Sequence, residues 1–207
     1  MNEPLTPPET SPRRSRLQAW LLVAIFFVPL LAAFVLYYGG TGNWRPSGST
    51  NQGDLINPPQ PLPQVELATA TGEKLGQQAL LGKWSLVYVG DGQCDTRCRE
   101  ALYLTRQTWI ALNKDMTRVQ RLFLATANCC DQSWLNTEHA DLITARVDDA
   151  AGQQLLSAFP EGAAAAQQGR IYVVDPLGNL MMSYSREAPQ KGLLQDMKKL
   201  LKLSHIG

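Results

Sequence analysis

The residues of this sequence best suited to chemistry are four cysteines, which form two pairs. Cys94 and Cys98 are separated by three residues, and Cys129 and Cys130 are adjacent. A cysteine thiolate attacks disulfides and binds soft metal ions such as Cu(I), and two nearby thiols can also close into a disulfide. The spacing of Cys94 and Cys98 therefore predicts thiol–disulfide exchange or Cu(I) binding, with a plain structural disulfide as the alternative.

The elements around the first pair favour the reactive alternative. The apolar run WSLVYV at residues 84–89 predicts a buried strand, and a helical pattern of apolar residues includes Cys98. We expect Cys94 at the N-terminus of that helix, where the dipole and free N–H groups stabilise a thiolate, with Cys98 on the same helix face. Arg97 and Arg99 add positive charge nearby.

The second pair follows the next predicted strand, at residues 119–125. Because the carboxyl ends of parallel strands share one edge of a sheet, Cys129 and Cys130 are expected close to the first pair. There they would supply a resolving thiol or additional copper ligands. A disulfide from one of them to Cys94 or Cys98, or two inert thiols in a loop, are the alternatives.

The remaining candidate residues predict structural roles. The chain has two histidines: His205 is expected to be solvated at the end of the last helix, and His139 to lie in a polar surface loop rather than on copper. The acidic pair Asp148 and Asp149 predicts a solvated turn. The sequence has no G-x-S-x-G motif, no glycine-rich phosphate loop and no H-E-x-x-H motif, so the cysteines carry the concentrated chemistry.

Strand and helix patterns alternate through the rest of the chain. After the two strands already named, we expect strands at residues 142–147, 170–174 and 180–184, a helix at 153–159, a hairpin turn at 175–179 and a last helix that includes 193–201. A parallel βαβ half followed by an antiparallel hairpin and a closing helix is the plan of a thioredoxin-like fold. The predicted class is therefore α/β, with a thioredoxin-like domain.

A single membrane anchor is predicted near the N-terminus. Residues 17–38 carry no charged side chain and are long enough to cross a bilayer. Arg13, Arg14 and Arg16 precede this run, so the positive-inside rule places the N-terminus in the cytoplasm and the following domain in the periplasm or another extracytoplasmic space. Bulky residues at the end of the run favour an uncleaved anchor in the inner (cytoplasmic) membrane over a signal peptide.

This division gives four predicted segments: a cytoplasmic tail at residues 1–16, the anchor at 17–38, a Gly/Ser/Pro-rich linker at 39–64 and one domain at 65–207. The formal net charge of the chain is +1, and the tail alone carries that excess, with three arginines against two glutamates. The remainder is balanced and has no basic run. Nucleic acid is therefore excluded as a partner.

Three segments resemble the Sco/SenC family of membrane-anchored, thioredoxin-like proteins: GKWSLVYVGDGQCDTRC at residues 82–98, IYVVDPLGN at 171–179 and the C-terminal helix. The order of anchor, linker and domain is similar too. The resemblance implies copper delivery to, or thiol reduction of, the binuclear copper site during cytochrome c oxidase assembly. It implies an oxidase subunit or another copper or thiol protein as partner, and Cys94 and Cys98 as copper ligands and redox pair.

The sequence departs from the family at two positions. Arg99 stands where a proline usually follows the second cysteine, and residues 167–170, which match the segment of the family's copper-ligand histidine, read QQGR. Because an amide is a poor copper ligand, two-coordinate Cu(I) binding or thiol–disulfide exchange is expected. A general extracytoplasmic thiol–disulfide oxidoreductase and a non-catalytic thioredoxin-like scaffold are the alternative functions.

Overall fold

An apolar helix and a mixed sheet with helices on both faces make up the described part of the chain. The computed structural model describes residues 12–35, 38, 50–76, 78–189, 191–204 and 206. The chain divides into two units, Met1–Gly48 and Ser49–Gly207. His205, expected to be solvated, lies outside the described residues.

The first unit contains helix α1 (Pro12–Phe34). Its segment Arg16–Phe34 is long and apolar enough to cross a membrane, and its large apolar side chains are exposed. Because no polar face interrupts this surface, α1 has the character of a membrane span rather than of a surface helix. The predicted N-terminal apolar helix is thereby confirmed as a candidate membrane span.

The second unit contains the remaining elements. Its strands are β1 (Asp54–Pro61), β2 (Leu67–Thr69), β3 (Lys74–Leu75), β4 (Trp84–Gly90), β5 (Val119–Ala125), β6 (Ile143–Arg146), β7 (Ile171–Val174) and β8 (Asn179–Tyr184). Its α-helices are α2 (Thr96–Ala111), α3 (Gln132–Glu138), α4 (Ala150–Leu156), α5 (Ala165–Gln168) and α6 (Gly192–Leu203). Short 3₁₀ helices span Asn113–Arg118 and Gly162–Ala164.

The strands form one sheet in the order β1-β8-β7-β4-β5-β6-β2-β3. The central strands β4, β5 and β6 are parallel, and β7 and β8 form an antiparallel hairpin beside β4. This arrangement confirms the predicted α/β, thioredoxin-like class. It also brings the carboxyl ends of β4 and β5 to the same edge of the sheet.

Alternation along the strands divides the core into two layers. In β4, Leu86 and Tyr88 pack with α2, α3 and α6 on one face, whereas Val87 and Val89 pack with α4 and α5 on the other. Since successive side chains of a strand point to opposite faces, a strand buried on both faces reads as a continuous apolar run. The cysteine pairs belong to the layer of α2, α3 and α6.

Strand β1 lies within residues 39–64, the range that the sequence predicts as linker, and the second unit begins at Ser49 rather than near Val65. β1 is mostly exposed and pairs antiparallel with β8, with Asp54 opposite Ser183. Proline lacks an N–H group and is tolerated at a sheet edge, so this Pro-rich segment can form an edge strand.

A buried carboxylate fixes the chain just before β1. Asp196, on α6, is 4% exposed, and its Oδ2 accepts hydrogen bonds from Gln52 N (2.7 Å), Gly53 N (3.0 Å) and Tyr184 Oη (2.9 Å). A Cβ atom built on Gly53 would lie 2.6 Å from the Tyr184 ring, so the close approach requires glycine. Residues before the predicted domain boundary are therefore part of the folded unit.

Candidate functional site

Cys94 and Cys98 form a disulfide at the carboxyl end of β4. We call these two residues the inner pair, and residues 91–95 the first cysteine loop. Each residue of the pair is only 2% exposed, and both pack in the apolar layer that contains the buried face of α2. The structure thus brings together the two residues expected to act as a redox pair, but it encloses their sulfur atoms.

The first cysteine loop places Cys94 outside the helix. Cys94 has a φ of 50°, in the left-handed region, and its N–H donates to Asp91 O at 3.0 Å. Helix α2 begins at Thr96, because the side chain of Asp95 caps it by accepting from Cys98 N at 3.0 Å. The prediction that both cysteines lie on one helix face is therefore wrong for Cys94, which precedes the cap.

The predicted positive charge near the inner pair is present and is balanced by carboxylates. Arg97 Nε lies 3.1 Å from Asp95 Oδ2, and Arg99 Nη2 lies 3.8 Å from Asp131 Oδ2. Arg99 Nε also donates to Cys94 O at 3.2 Å. The cap hydrogen bond from α2 and then Arg97 hold the pKa of Asp95 below its usual value, so this carboxylate stays charged at neutral pH.

Cys129 and Cys130 form a second disulfide, at the carboxyl end of β5. We call them the outer pair, and residues 126–131 the second cysteine loop. Both are half-buried and pack against the apolar layer that contains the inner pair. Since they pair with each other, the two alternatives of a disulfide to Cys94 or Cys98 and of inert free thiols are wrong for this structure.

The two cysteine loops are in direct contact. A Cβ atom built on Gly92 would lie 2.4 Å from Cys129 Cα, so only glycine permits this approach. The hydrogen bonds that join the loops and the strand ends before them are Thr126 N to Gly90 O (2.9 Å), Gly92 N to Ala127 O (2.8 Å) and Asn128 Nδ2 to Asp91 Oδ2 (2.9 Å). The predicted proximity of the two pairs at one sheet edge is therefore observed at the level of their loops.

His139 is buried, so the prediction of a surface histidine is wrong. The residue is 4% exposed; its ring centroid lies 4.9 Å from that of Trp134, and Nδ1 lies 3.3 Å from Arg121 Nη2. Burial and then the neighbouring guanidinium of Arg121 lower the pKa of His139 below its ordinary value. A short helix, α3, turns this segment inward, a tertiary effect that polar local composition conceals.

Arg121 is a buried residue that sequence reasoning missed. Its side chain is fully enclosed and donates to Asp141 Oδ2 (2.8 Å), Leu102 O (2.8 Å) and Thr105 Oγ1 (3.1 Å). A buried charge persists only when it is paired and hydrogen-bonded, and these acceptors meet that need. The sequence signal was an arginine at an alternate position of the apolar run at residues 119–125.

The segment that matches the family's copper-ligand histidine ends in a glycine turn. Helix α5 is followed by Gly169, with a φ of 59°, and a Cβ atom built there would lie 3.8 Å from Tyr88 Oη. Burial raises the pKa of Tyr88 to about 12, so its phenol stays protonated at neutral pH. The segment contains two glutamines and no histidine. The histidine that the structure describes, His139, faces Arg121 instead.

A groove of about 1000 Å³ runs along α2 and is also lined by residues 168–171 and 184–189. Charged side chains of both signs line it, including Arg97, Glu100, Arg170 and Arg186. Arg186 Nη2 lies 3.3 Å from Glu100 Oε2, so part of this charge is paired across the groove.

The donor set at the inner pair fits copper as a two-thiolate ligand. Once reduced, Cys94 and Cys98 would present two soft sulfur ligands, which suit Cu(I). Within the part of the chain that the structure describes, no three or more His, Cys, Asp or Glu side chains form a group able to hold a metal ion. In this state the inner and outer pairs are each closed as a disulfide.

Comparison with solved structures shows the same fold in Sco proteins. Bradyrhizobium japonicum ScoI with copper bound is 17% identical, with 68% of this chain and 98% of that chain covered and a TM-score of 0.53. Yeast Sco1 is 16% identical (70% and 99% covered, TM-score 0.59), and a SCO1/SenC family lipoprotein from Bacillus anthracis is 15% identical (70% and 98% covered, TM-score 0.51). The resemblance to Sco/SenC proteins is confirmed at the level of fold.

The sequence itself matches a family model. Among curated proteins, none matches the sequence. The model described as "Transmembrane-like, thioredoxin-like, C-terminal domain" matches residues 84–204, from the strand before the first cysteine loop to the end of the last helix. Because this match covers more than half of the chain, the chain belongs to the family of transmembrane-like, thioredoxin-like C-terminal domains.

Proposed function

We propose that this protein is a membrane-anchored, Sco-like factor that assists assembly of the copper site of cytochrome c oxidase. Cys94 and Cys98 handle Cu(I), reduce the cysteines of the target, or do both. The partner is an oxidase subunit or another copper or thiol protein. The protein spans the inner membrane once, with its N-terminus in the cytoplasm and its domain in the periplasm.

One observation carries this proposal: the inner pair closes a disulfide between the loop at the carboxyl end of β4 and the first turn of α2. Parallel strands of α/β proteins present reactive groups at this edge of the sheet. The neighbouring folds include structures titled as copper-bound Sco proteins, which supports copper as the cargo of a related site.

The redox half of the proposal needs only the inner pair and a target disulfide. The Cys94 thiolate attacks one sulfur of the target disulfide and forms a mixed disulfide, and the second target sulfur leaves as a thiolate that takes up a proton. The Cys98 thiolate then attacks Cys94 and releases the other target thiol. Two electrons pass to the target, and the inner pair becomes the disulfide seen in the structure.

A general extracytoplasmic thiol–disulfide oxidoreductase is the second candidate. The observation in its favour is the ligand set: residues 167–170 contain no histidine, and the described histidine, His139, faces Arg121. With two thiolates alone, metal binding is weaker than with an added imidazole, whereas thiol exchange loses nothing.

Anaerobic titration with Cu(I) tests the proposal. The full-length protein, reduced and held in detergent micelles, is titrated beside Cys94→Ser, Cys98→Ser and the matched control Cys129→Ser/Cys130→Ser. We expect one Cu(I) per chain in the wild type and in the control, and loss of that Cu(I) in either single variant. The same samples are then incubated with an oxidase copper-site domain whose two cysteines are oxidised, and its thiols are counted.

The outcomes separate the candidate functions. Copper bound by Cys94 and Cys98, or reduction of the oxidase domain in preference to an unrelated disulfide protein, supports the Sco-like function. Absence of copper binding with equal reduction of both targets supports the general oxidoreductase. A chain that neither binds copper nor exchanges thiols is a non-catalytic scaffold, and the proposal is then wrong.

A further inference from the structure

We propose that Cys129 and Cys130 are a second redox pair, through which a partner protein delivers electrons to the inner disulfide. This inference rests on the proposed thiol chemistry of Cys94 and Cys98 and adds a route by which that pair is reduced. The partner is a protein dithiol, which supplies the two electrons.

The outer pair is more accessible to a partner protein than the inner pair. Thiol–disulfide exchange requires in-line approach of a thiolate to a sulfur atom, so its rate depends on access to that sulfur. The residues of the inner pair are each 2% exposed and belong to the apolar layer of the core. The residues of the outer pair are only half-buried, and Asn128 beside them is exposed. A partner protein therefore reaches the outer disulfide more readily than the inner one.

The two cysteine loops are also in direct backbone contact. The backbone of Gly92, two residues before Cys94, packs directly against the backbone of Cys129, with 2.4 Å from a built Cβ to Cys129 Cα. All four cysteines belong to or pack against one apolar layer. Reduction of the outer pair frees its two sulfur atoms from each other, so that each can rotate about its Cα–Cβ bond toward the first cysteine loop.

A positive charge, that of Arg99, contacts residues of both cysteine loops. Arg99 donates to Cys94 O (3.2 Å), lies 3.8 Å from the carboxylate of Asp131 and stacks 4.7 Å over the centroid of the Trp134 ring. Its guanidinium is always protonated and therefore favours thiolates formed in its neighbourhood. One cation thus contacts residues of both loops.

Two successive dithiol–disulfide exchanges carry two electrons from the partner to the outer pair and then to the inner pair. A partner dithiol reduces the outer disulfide and becomes a disulfide, giving up two electrons and two protons. The Cys129 thiolate attacks the Cys94 sulfur, forming a Cys129–Cys94 disulfide and releasing Cys98 as a thiol. The Cys130 thiolate then attacks Cys129, re-forms the outer disulfide and releases Cys94 as a thiol. The inner pair has gained the two electrons.

A kinetic comparison tests this route. Oxidised full-length protein in detergent micelles is mixed with reduced thioredoxin as the protein dithiol, quenched by alkylation, and each cysteine is scored by mass spectrometry. In the wild type we expect the outer pair to be reduced before the inner pair. In Cys129→Ser/Cys130→Ser we expect thioredoxin to reduce the inner pair at least tenfold more slowly. Reduction by a small phosphine, which needs no protein docking, should change less than twofold.

Three results of this experiment would contradict the proposed route. An unchanged rate of inner-pair reduction by thioredoxin in the double variant would overturn the proposal. So would reduction of the inner pair first, or equal slowing with the phosphine, since the variant would then have altered the inner disulfide itself.

A trapping variant tests the intermediate independently of rates. Cys98→Ser/Cys130→Ser leaves Cys94 and Cys129, which we expect to form a disulfide on mild oxidation. The matched control Cys98→Ser/Cys129→Ser leaves Cys130 instead and should give at least fivefold less. Absence of the Cys94–Cys129 disulfide, or equal yields in both variants, contradicts the assignment.

Failure of this route is distinguishable from failure of the proposed function. Cu(I) binding to chemically reduced protein depends on the inner pair alone and is measured on the same samples. Copper binding with no relay leaves the proposed function intact, whereas a relay with neither copper binding nor reduction of the oxidase domain contradicts the proposed function and leaves the route standing.

Discussion

At the scale of residues, the side chain of Arg99 links the chemistry of the two cysteine loops. It contacts Cys94 O, Asp131 and the ring of Trp134, and these contacts hold a cation against residues of both loops. In the Sco/SenC family a proline usually follows the second cysteine. The replacement of an apolar, rigid residue by a cation at this place favours thiol chemistry, since a thiolate is stabilised by nearby positive charge.

His139 contacts Trp134, the same residue whose ring Arg99 contacts. Trp134 packs on the His139 ring, and Arg121 directs its guanidinium at Nδ1. A donor on that side requires Nδ1 to be the acceptor, so the imidazole is neutral in the folded protein. The lowered pKa of His139 follows from burial first and from Arg121 second.

This burial predicts a loss of stability on mild acidification. Because the pKa of His139 is lower in the folded chain than its ordinary value of 6.5, the unfolded chain binds a proton first as pH falls. The free energy of unfolding therefore decreases below about pH 6.5, by at most about 1.4 kcal/mol per pH unit for one group. Replacement by glutamine removes this slope.

The measurement is urea unfolding of the full-length protein in non-ionic detergent, followed by tryptophan fluorescence between pH 7.5 and 5.5. Both proteins carry His205→Asn, so that His139 is the one histidine that differs between them. We expect a shallower pH dependence in His139→Gln. Parallel curves would show that His139 keeps its ordinary pKa in the folded chain.

At the scale of elements, the segment before β1 is held by α6. Asp196 accepts three hydrogen bonds from Gln52, Gly53 and Tyr184, and it is itself buried. Burial, and then the hydrogen bond to this carboxylate, raise the pKa of Tyr184 well above its usual value. The edge strand is thus attached through a side chain as well as through its pairing with β8.

Removal of this carboxylate should destabilise the second unit. Asp196→Ala leaves the buried N–H of Gly53, the buried phenol of Tyr184 and the part-buried N–H of Gln52 without their acceptor, at a cost of about 3 kcal/mol. Tyr184→Phe removes one of the three hydrogen bonds and should cost about 1 kcal/mol. Hydrogen exchange of residues 52–61 measures the local effect, which we expect to be greater in Asp196→Ala.

Glu66→Ala is the control for that comparison. Its exposed pair with Lys74, at 3.3 Å, should contribute less than about 1 kcal/mol. If Asp196→Ala were no more destabilising than Glu66→Ala, the attachment of β1 through α6 would have no energetic weight.

At the scale of the whole molecule, function depends on which side of the membrane the cysteines face. Disulfides persist in oxidising compartments and are rare in the cytoplasm. The arginines at positions 13, 14 and 16 precede the uncharged run that begins at Leu17, and the next basic residue is Arg45. This charge bias predicts an extracytoplasmic domain, in which both disulfides can form.

Reporter fusions after Gly207 check this orientation. Alkaline phosphatase, which is active only outside the cytoplasm, should be active, and β-galactosidase should not. Replacing the three arginines by glutamate should reduce phosphatase activity several-fold through loss or inversion of the orientation, whereas replacing them by lysine should not change it. Active β-galactosidase on the wild-type chain would contradict the predicted topology.

The central part of the fold was predictable because its signals are local. The apolar run at residues 84–89 and that at 119–125 are strands β4 and β5, since a strand buried on both faces is apolar throughout. The same logic fails for β1, which is exposed and Pro-rich. Its strand character comes from pairing with β8, far along the chain.

Some features of the candidate site likewise follow from local sequence, whereas others depend on tertiary packing. By itself, the sequence determined that Cys94 and Cys98 follow a buried strand at reactive spacing, that a second pair follows the next strand, and that an apolar segment precedes the domain. Only the tertiary structure decided that the outer cysteines pair with each other, that the inner pair is enclosed and that His139 and Arg121 are internal. Spacing and periodicity are properties of neighbouring residues, whereas burial and pairing depend on which distant elements pack together.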